Sequence, residues 1–259
     1  MHKCVLLGAL LLAACNDGGE SAPEAIAAAD VASGPVTAEG VWSGHSSQLI
    51  AGGAVTRNAS ALVLGNGDFY LMLSSLADPQ RPASVVQGSA QMVDGRLAAS
   101  AATMIDFEAK KVSAVSVSGR YSVSAKAGLS AEIAQPGQAV IDVASTFQRA
   151  YDTPASVAGI SGTYRLWLGS AGGLVAGEAR INSAGSVTAT FEKCRVSGRL
   201  TAMSKALLNL AVEFAEGCPL MGVYAGPLFY DALTKQVLAS GPTAARADGF
   251  LIYGYRSGS

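Results

Sequence analysis

Ala202-Met203-Ser204-Lys205-Ala206-Leu207-Leu208-Asn209-Leu210-Ala211-Val212-Glu213-Phe214-Ala215-Glu216 is the stretch on which the fold turns. Its alanines, leucines and glutamates are good helix formers. Yet Leu208, Leu210, Val212 and Phe214 recur with period two, and Asn209 and Glu213 fall between them. An amphipathic helix groups apolar residues three and four apart, whereas strict alternation puts them on one face of a half-buried strand. The stretch therefore predicts a strand over Ala206 to Phe214.

Outward from it the same pattern recurs. Val112, Ala114, Val115 and Val117 are interleaved with Ser113, Ser116 and Ser118. In the first half, strands are expected over Val41 to Ile50, Ser60 to Leu64, Phe69 to Ser74, Ser84 to Met92, Arg96 to Thr103, Val112 to Ser124, Gly128 to Ile133 and Ala139 to Phe147. In the second half they are expected over Gly162 to Gly169, Leu174 to Ile181, Ser186 to Lys193, Arg195 to Met203, Ala206 to Phe214, Met221 to Tyr230, Gln236 to Ser240 and Gly249 to Arg256. Asn66-Gly67-Asp68, Asp94-Gly95 and Pro136-Gly137 punctuate the runs, because glycine supplies positive φ and Asn or Asp tolerates it. Between the halves, Thr153 is a suitable N-cap, Pro154 suits a first helical position and Gly159 ends the turn.

Short echoes link the halves. Gly162-Thr163-Tyr164-Arg165-Leu166-Trp167 resembles Gly40-Val41-Trp42-Ser43, and Val196-Ser197-Gly198-Arg199 resembles Val86-Gln87-Gly88-Ser89. Their offsets differ around an insertion at Pro79 to Pro82, so an internal duplication is one reading of them. Many short strands joined by tight turns favour an all-β chain with two small antiparallel up-and-down β-barrel, or curled-sheet, domains at 37–150 and 151–259.

Composition narrows the function classes. Charged residues make up 14% of the chain, against about 25% in an average domain. The formal net charge is −1, and basic residues are scattered singly, so nucleic acid is not an expected partner.

The N-terminus carries an address. Met1-His2-Lys3 is a cationic start, Cys4 to Leu12 an apolar run, and Ala13-Ala14 small residues before Cys15. The run is too short for a helix crossing the hydrocarbon, which needs about 20 apolar residues. A plain secretory signal would share this layout. With the cysteine, Leu12-Ala13-Ala14-Cys15 resembles the lipobox of bacterial lipoproteins. That resemblance implies a signal peptide at 1–14, a lipidated Cys15 and a membrane partner engaged through the lipid. Acyl chains contribute about 0.8 kcal/mol per buried methylene, so two or three make attachment effectively permanent. Asn16, rather than aspartate, follows the cysteine, and this favours the outer membrane over inner-membrane retention. Residues 15–36 are polar and rich in Gly, Ala and Pro, as in a flexible tether.

Cys194 and Cys218 remain once Cys4 and Cys15 are accounted for, and in an oxidising envelope they read as one disulfide. A metal pair or a redox dithiol would also use two cysteines. The wide spacing and the lack of a nearby histidine speak against both.

Taken together, the lipobox, Tyr151-Asp152-x-Pro154-Ala155-Ser156, Gly162-x-Tyr164, the Cys194/Cys218 pair, Tyr230-Asp231-Ala-x-Thr234-Lys235 and Asp248-Gly249-Phe250 resemble uncharacterised proteobacterial lipoproteins. In architecture, a lipidated tether bearing small barrels is similar to the factor-H-binding and transferrin-binding surface lipoproteins. Gly40-Val41-Trp42 alone resembles the Gly-x-Trp of lipocalins.

Ser43 and His45 share a strand face without an orienting carboxylate, which is not a triad. Asp106 and Glu108 could pair for acid–base work, but Lys110 and Lys111 beside them mark a charged loop. Asn66-Gly67-Asp68 lacks the further acidic positions of a calcium loop. The chain is thus expected to be no enzyme and to need no cofactor or metal. It reads as a lipid-anchored outer-membrane binding or adhesion module with a host or envelope protein as ligand. The alternative is a periplasm-facing structural or accessory lipoprotein, such as an enzyme inhibitor.

Overall fold

Strand after strand in this chain pairs with its sequence neighbour, and the two ends of each series find one another. The computed structural model describes residues 37–122, 126–242 and 248–258. The readings on residues 1–36, Cys15 included, lie outside the described residues. The first series is β1 (Gly40–Ile50), β2 (Gly53–Val63), β3 (Asp68–Ser74), β4 (Pro82–Ser89), β5 (Gln91–Val93), β6 (Arg96–Asp106), β7 (Lys111–Tyr121), β8 (Leu129–Ala134) and β9 (Ile141–Phe147). β1 pairs with both β2 and β9, and a β4–β6 pairing closes the ring. β4 and β5 are two pieces of one wall strand, interrupted at Ala90. The second series is β10 (Gly162–Ser170), β11 (Gly173–Ile181), β12 (Ser186–Phe191), β13 (Cys194–Ala202), β14 (Leu207–Phe214), β15 (Gly222–Asp231), β16 (Gln236–Pro242) and β17 (Gly249–Arg256), closed by β10 against β17. Both are antiparallel up-and-down barrels of eight wall strands, as the alternation predicted.

The ambiguous stretch is β14. Leu208, Leu210, Val212 and Phe214 all point into the second barrel, and Glu213 faces water. The linker differs from expectation. A 3-10 turn occupies Arg149–Asp152, and the short helix α1 is Val157–Ile160. Its N-cap is Ser156, which accepts the Gly159 amide, rather than Thr153. The cause is tertiary: Ala155 donates to the Lys205 carbonyl at 2.8 Å and Ala206 to the Tyr151 carbonyl at 2.9 Å. These bonds pin the Thr153-Pro154-Ala155 segment against the β13–β14 turn.

Three apolar cores result. One fills the first barrel around Trp42, Phe69, Leu71, Val86 and Ile133, and another fills the second around Tyr164, Phe191, Leu200 and Phe250. The third lies between the barrels, where Val41, Tyr70, Met72, Val85 and Ile105 meet Leu207, Phe229, Leu238, Leu251 and Tyr253. Strands serving two cores lose their alternation. β3, β4, β16 and β17 are buried along almost their whole length, on both faces. Pro35–Ser259 accordingly form one compact unit.

Away from this contact the outer walls are polar. Ser130, Glu132, Asp142, Thr188, Thr190, Arg195 and Arg199 point outward and are exposed, while apolar side chains fill both lumens. A membrane-spanning barrel has the reverse polarity, so these walls face water. Among the described residues no helix is long and apolar enough to cross a membrane.

The two barrels begin alike. Trp42 Nε1 donates to the Ala38 carbonyl four residues back, and the Tyr164 hydroxyl donates to the Ile160 carbonyl at the same separation. Gly40 has φ +154° and Gly162 φ +151°, and a Cβ on either would strike the last residue of the closing strand, Phe147 or Arg256. The segment Thr37 to Glu39 thus closes one end of the first barrel, with Ala38 fully buried above Trp42.

Candidate functional site

The opposite end of the first barrel is not filled. Inward-facing positions near the ends of its strands carry small or polar residues, so the apolar core stops short of the rim. The remaining cavity has a volume of about 190 Å³. Its floor is Leu73, Met104, Ile133 and Ile141, and its rim includes Gln48, Gln135 and Gln138.

Strand register sorts the polar lining into two patches. Ser46 on β1 stands opposite Arg57 on β2, and Ser84 on β4 stands opposite Asp106 on β6. β3, with Leu73, runs between them. Ser46 and Ser84 are each only 2% exposed, and both line the cavity. Arg57 donates to the Ser74 carbonyl at 3.3 Å. Asp106 accepts the amides of Glu108 and Ala109 at 2.9 and 2.8 Å. No ion pair engages Arg57 or Asp106 among the described residues.

Around this opening, exposed aliphatic side chains recur at every connection. Leu49 and Ile50 stand at the β1–β2 turn, Leu76 between β3 and β4, Val112 beside the β6–β7 turn and Val140 between β8 and β9. Leu49 is 71% exposed. Single exposed aliphatics are ordinary; five of them stand at the connections around this one opening.

The residues singled out from sequence are dispersed. Ser43 and His45 lie on the outer wall of β1, with His45 exposed and paired in register with Asn58 and Ala144. Asp106 caps its turn and lines the cavity, whereas Glu108 accepts a hydrogen bond from the Ser75 hydroxyl at 2.7 Å. Asn66-Gly67-Asp68 is a turn in which the Asn66 side chain accepts the Asp68 amide. Cys194 and Cys218 form a disulfide that ties the start of β13 to the loop after β14. No group of three or more His, Cys, Asp or Glu side chains is placed to hold a metal among the described residues. Ser46, Arg57 and Ser84 escaped the sequence reading. The available signal was a polar residue at an inward position, as in Trp42, Gly44, Ser46 and Gln48 along β1.

A second polar cluster sits by the closed end. Glu39 Oε1 accepts from the Lys205 ammonium at 2.7 Å and from the Tyr151 hydroxyl at 2.8 Å. Burial alone would raise the Glu39 pKa. The Lys205 and Tyr151 hydrogen bonds, with the charges of Lys205 and Lys126, outweigh it and hold the carboxyl below its ordinary range. Burial first, then Glu39, push the Tyr151 phenol far above the usual tyrosine range. These residues join the N-terminal segment, the linker and the β13–β14 turn. Their role is to hold the barrels together.

No protein-family model and no curated protein matches the chain. Among solved structures, the crystal structure of a Bacteroides fragilis protein provisionally described as an outer membrane protein aligns over 86% of this chain and 98% of its own. The identity is 10% and the TM-score 0.29, a likeness too slight to bear on function.

Proposed function

We propose that this chain is a lipid-anchored binding or adhesion module of the bacterial outer membrane, acting without catalysis and gripping a protein partner at the open end of its first barrel. The observation that carries this reading is the aliphatic fringe of Leu49, Ile50, Leu76, Val112 and Val140 around that opening. The N-terminal segment closes the other end of the same barrel, so the chain approaches from behind the proposed contact surface. An acylated Cys15 on a tether of roughly 20 residues would give the head a reach on the order of 25 Å. That the protein is no enzyme belongs to the proposal, since Ser43 and His45 face outward and Asp106 and Glu108 serve turns. Its partner is a host or envelope protein with an apolar surface patch.

The test uses the full chain in lipid nanodiscs, presented to host and envelope protein pools. A partner captured by the wild type should be lost on Leu49→Ser with Ile50→Ser. It should be kept on Val93→Ser, which changes an exposed valine remote from the opening. Equal capture by all three would overturn the assignment of the surface. Protease shaving of intact cells reads the location: digestion of the head supports surface display, and protection would place it in the periplasm.

A further inference from the structure

We infer that the cavity at the open end of the first barrel is a binding site for a small zwitterion with an aliphatic body, a free α-amino acid being the simplest example. This deepens the reading of that end as the binding end and rests on it. Size sets the first limit: about 190 Å³ lies below the roughly 300–1,000 Å³ of pockets for drug-sized ligands. The floor of Leu73, Met104, Ile133 and Ile141 asks for an apolar body, because a wholly polar ligand would lose its hydration there without replacement.

The walls set the charge. Ser46 with Arg57 forms a donor-rich patch that matches a carboxylate, since a guanidinium and a hydroxyl both donate to its oxygens. Ser84 with Asp106 forms an acceptor-rich patch that matches an ammonium. A ligand carrying one charge would engage one patch and leave the other charge facing a partly dehydrated cavity. A ligand carrying both engages the two patches at once. β3 keeps the patches apart, so they do not quench each other as an internal salt bridge.

The probe is L-leucine, with 4-methylpentanoate and isoamylamine as the same body bearing only the carboxylate or only the ammonium. Binding to the full chain in nanodiscs is followed by saturation-transfer NMR and calorimetry. Leucine should bind at least about tenfold more tightly than either single-charge analogue, the size of one lost charged contact. Arg57→Gln should bring leucine down to the level of isoamylamine, and Asp106→Asn to that of 4-methylpentanoate. Because Asp106 also caps a turn, Ser46→Ala and Ser84→Ala provide variants that remove only the hydroxyl and add no volume to the cavity. Each should weaken leucine severalfold with an unchanged melting profile. Equal affinities for the three probes, or no leucine binding into the tens of millimolar, would overturn the inference. Leu49→Ser with Ile50→Ser should leave leucine binding intact while abolishing protein capture, so the two readings fail separately.

Discussion

At the scale of single residues, Glu39 is the group whose chemistry reaches furthest. Its folded-state pKa lies below the ordinary value of 4.5, so its contribution is present above the unfolded value and is lost as pH falls through the folded one. Glu39→Gln should lower stability at neutral pH by on the order of 1 kcal/mol, a modest figure because the pair is partly exposed. The difference from wild type should shrink as pH falls below the ordinary carboxylate value and vanish only below the lowered folded-state value, as the carboxylate protonates. Urea midpoints measured between pH 3 and 7 check both. The paired glycines make a second residue-scale case. Gly40→Ala should cost about 1–3 kcal/mol, because the side chain meets both an unfavourable φ and the Phe147 ring. Gly162→Ala should cost less, since the Arg256 side chain in its way is the flexible end of a long residue. Thermal melts of the two variants side by side give the comparison.

At the scale of elements, the Cys194–Cys218 bridge spans a sequence separation of 24. The loop-entropy account gives it about 3 kcal/mol. Reduction, or replacement of both cysteines by serine, should lower the unfolding free energy by that amount, read from the shifted urea midpoint, without altering the β content seen by circular dichroism. Most elements could be read from the amino-acid order, because alternation and turn glycines are local signals. The second half matched nearly strand for strand, with β17 starting and ending as expected. β2 was the clearest shortfall: it begins at Gly53, but Thr56, Arg57 and Asn58 interrupt the apolar alternation near the opening. The N-cap at Ser156 was missed because long-range bonds from Lys205 and Tyr151 decide which residue opens the helix. The cavity was illegible for a related reason. Ser46, Arg57, Ser84 and Asp106 come from four strands, and only register brings them to one opening.

At the scale of the whole molecule, the core between the barrels decides how the chain unfolds. Alternation showed which face of each strand enters a lumen, but it does not reveal that β3, β4, β16 and β17 are covered on the other face too. Their near-continuous apolar runs, such as Phe69-Tyr70-Leu71-Met72-Leu73, were the only trace. Val85 is 1% exposed within this shared core. Val85→Asp places an unpaired carboxyl there and should destabilise the contact by roughly 3–5 kcal/mol. Calorimetry should then resolve two transitions, one per barrel, where the wild type gives one. A single cooperative transition in the variant would mean that the barrels do not depend on this core for their joint behaviour.

Each ladder runs full circle, and among the described residues the short β5 is the one strand paired on a single side. Long unpaired rows of amide and carbonyl groups are what let one sheet template another into fibres. Under the proposed acyl anchor, the protein would be confined to two dimensions and would meet its own copies constantly. With the one open edge among the described residues only three residues long, such copies could stand shoulder to shoulder at high density without polymerising.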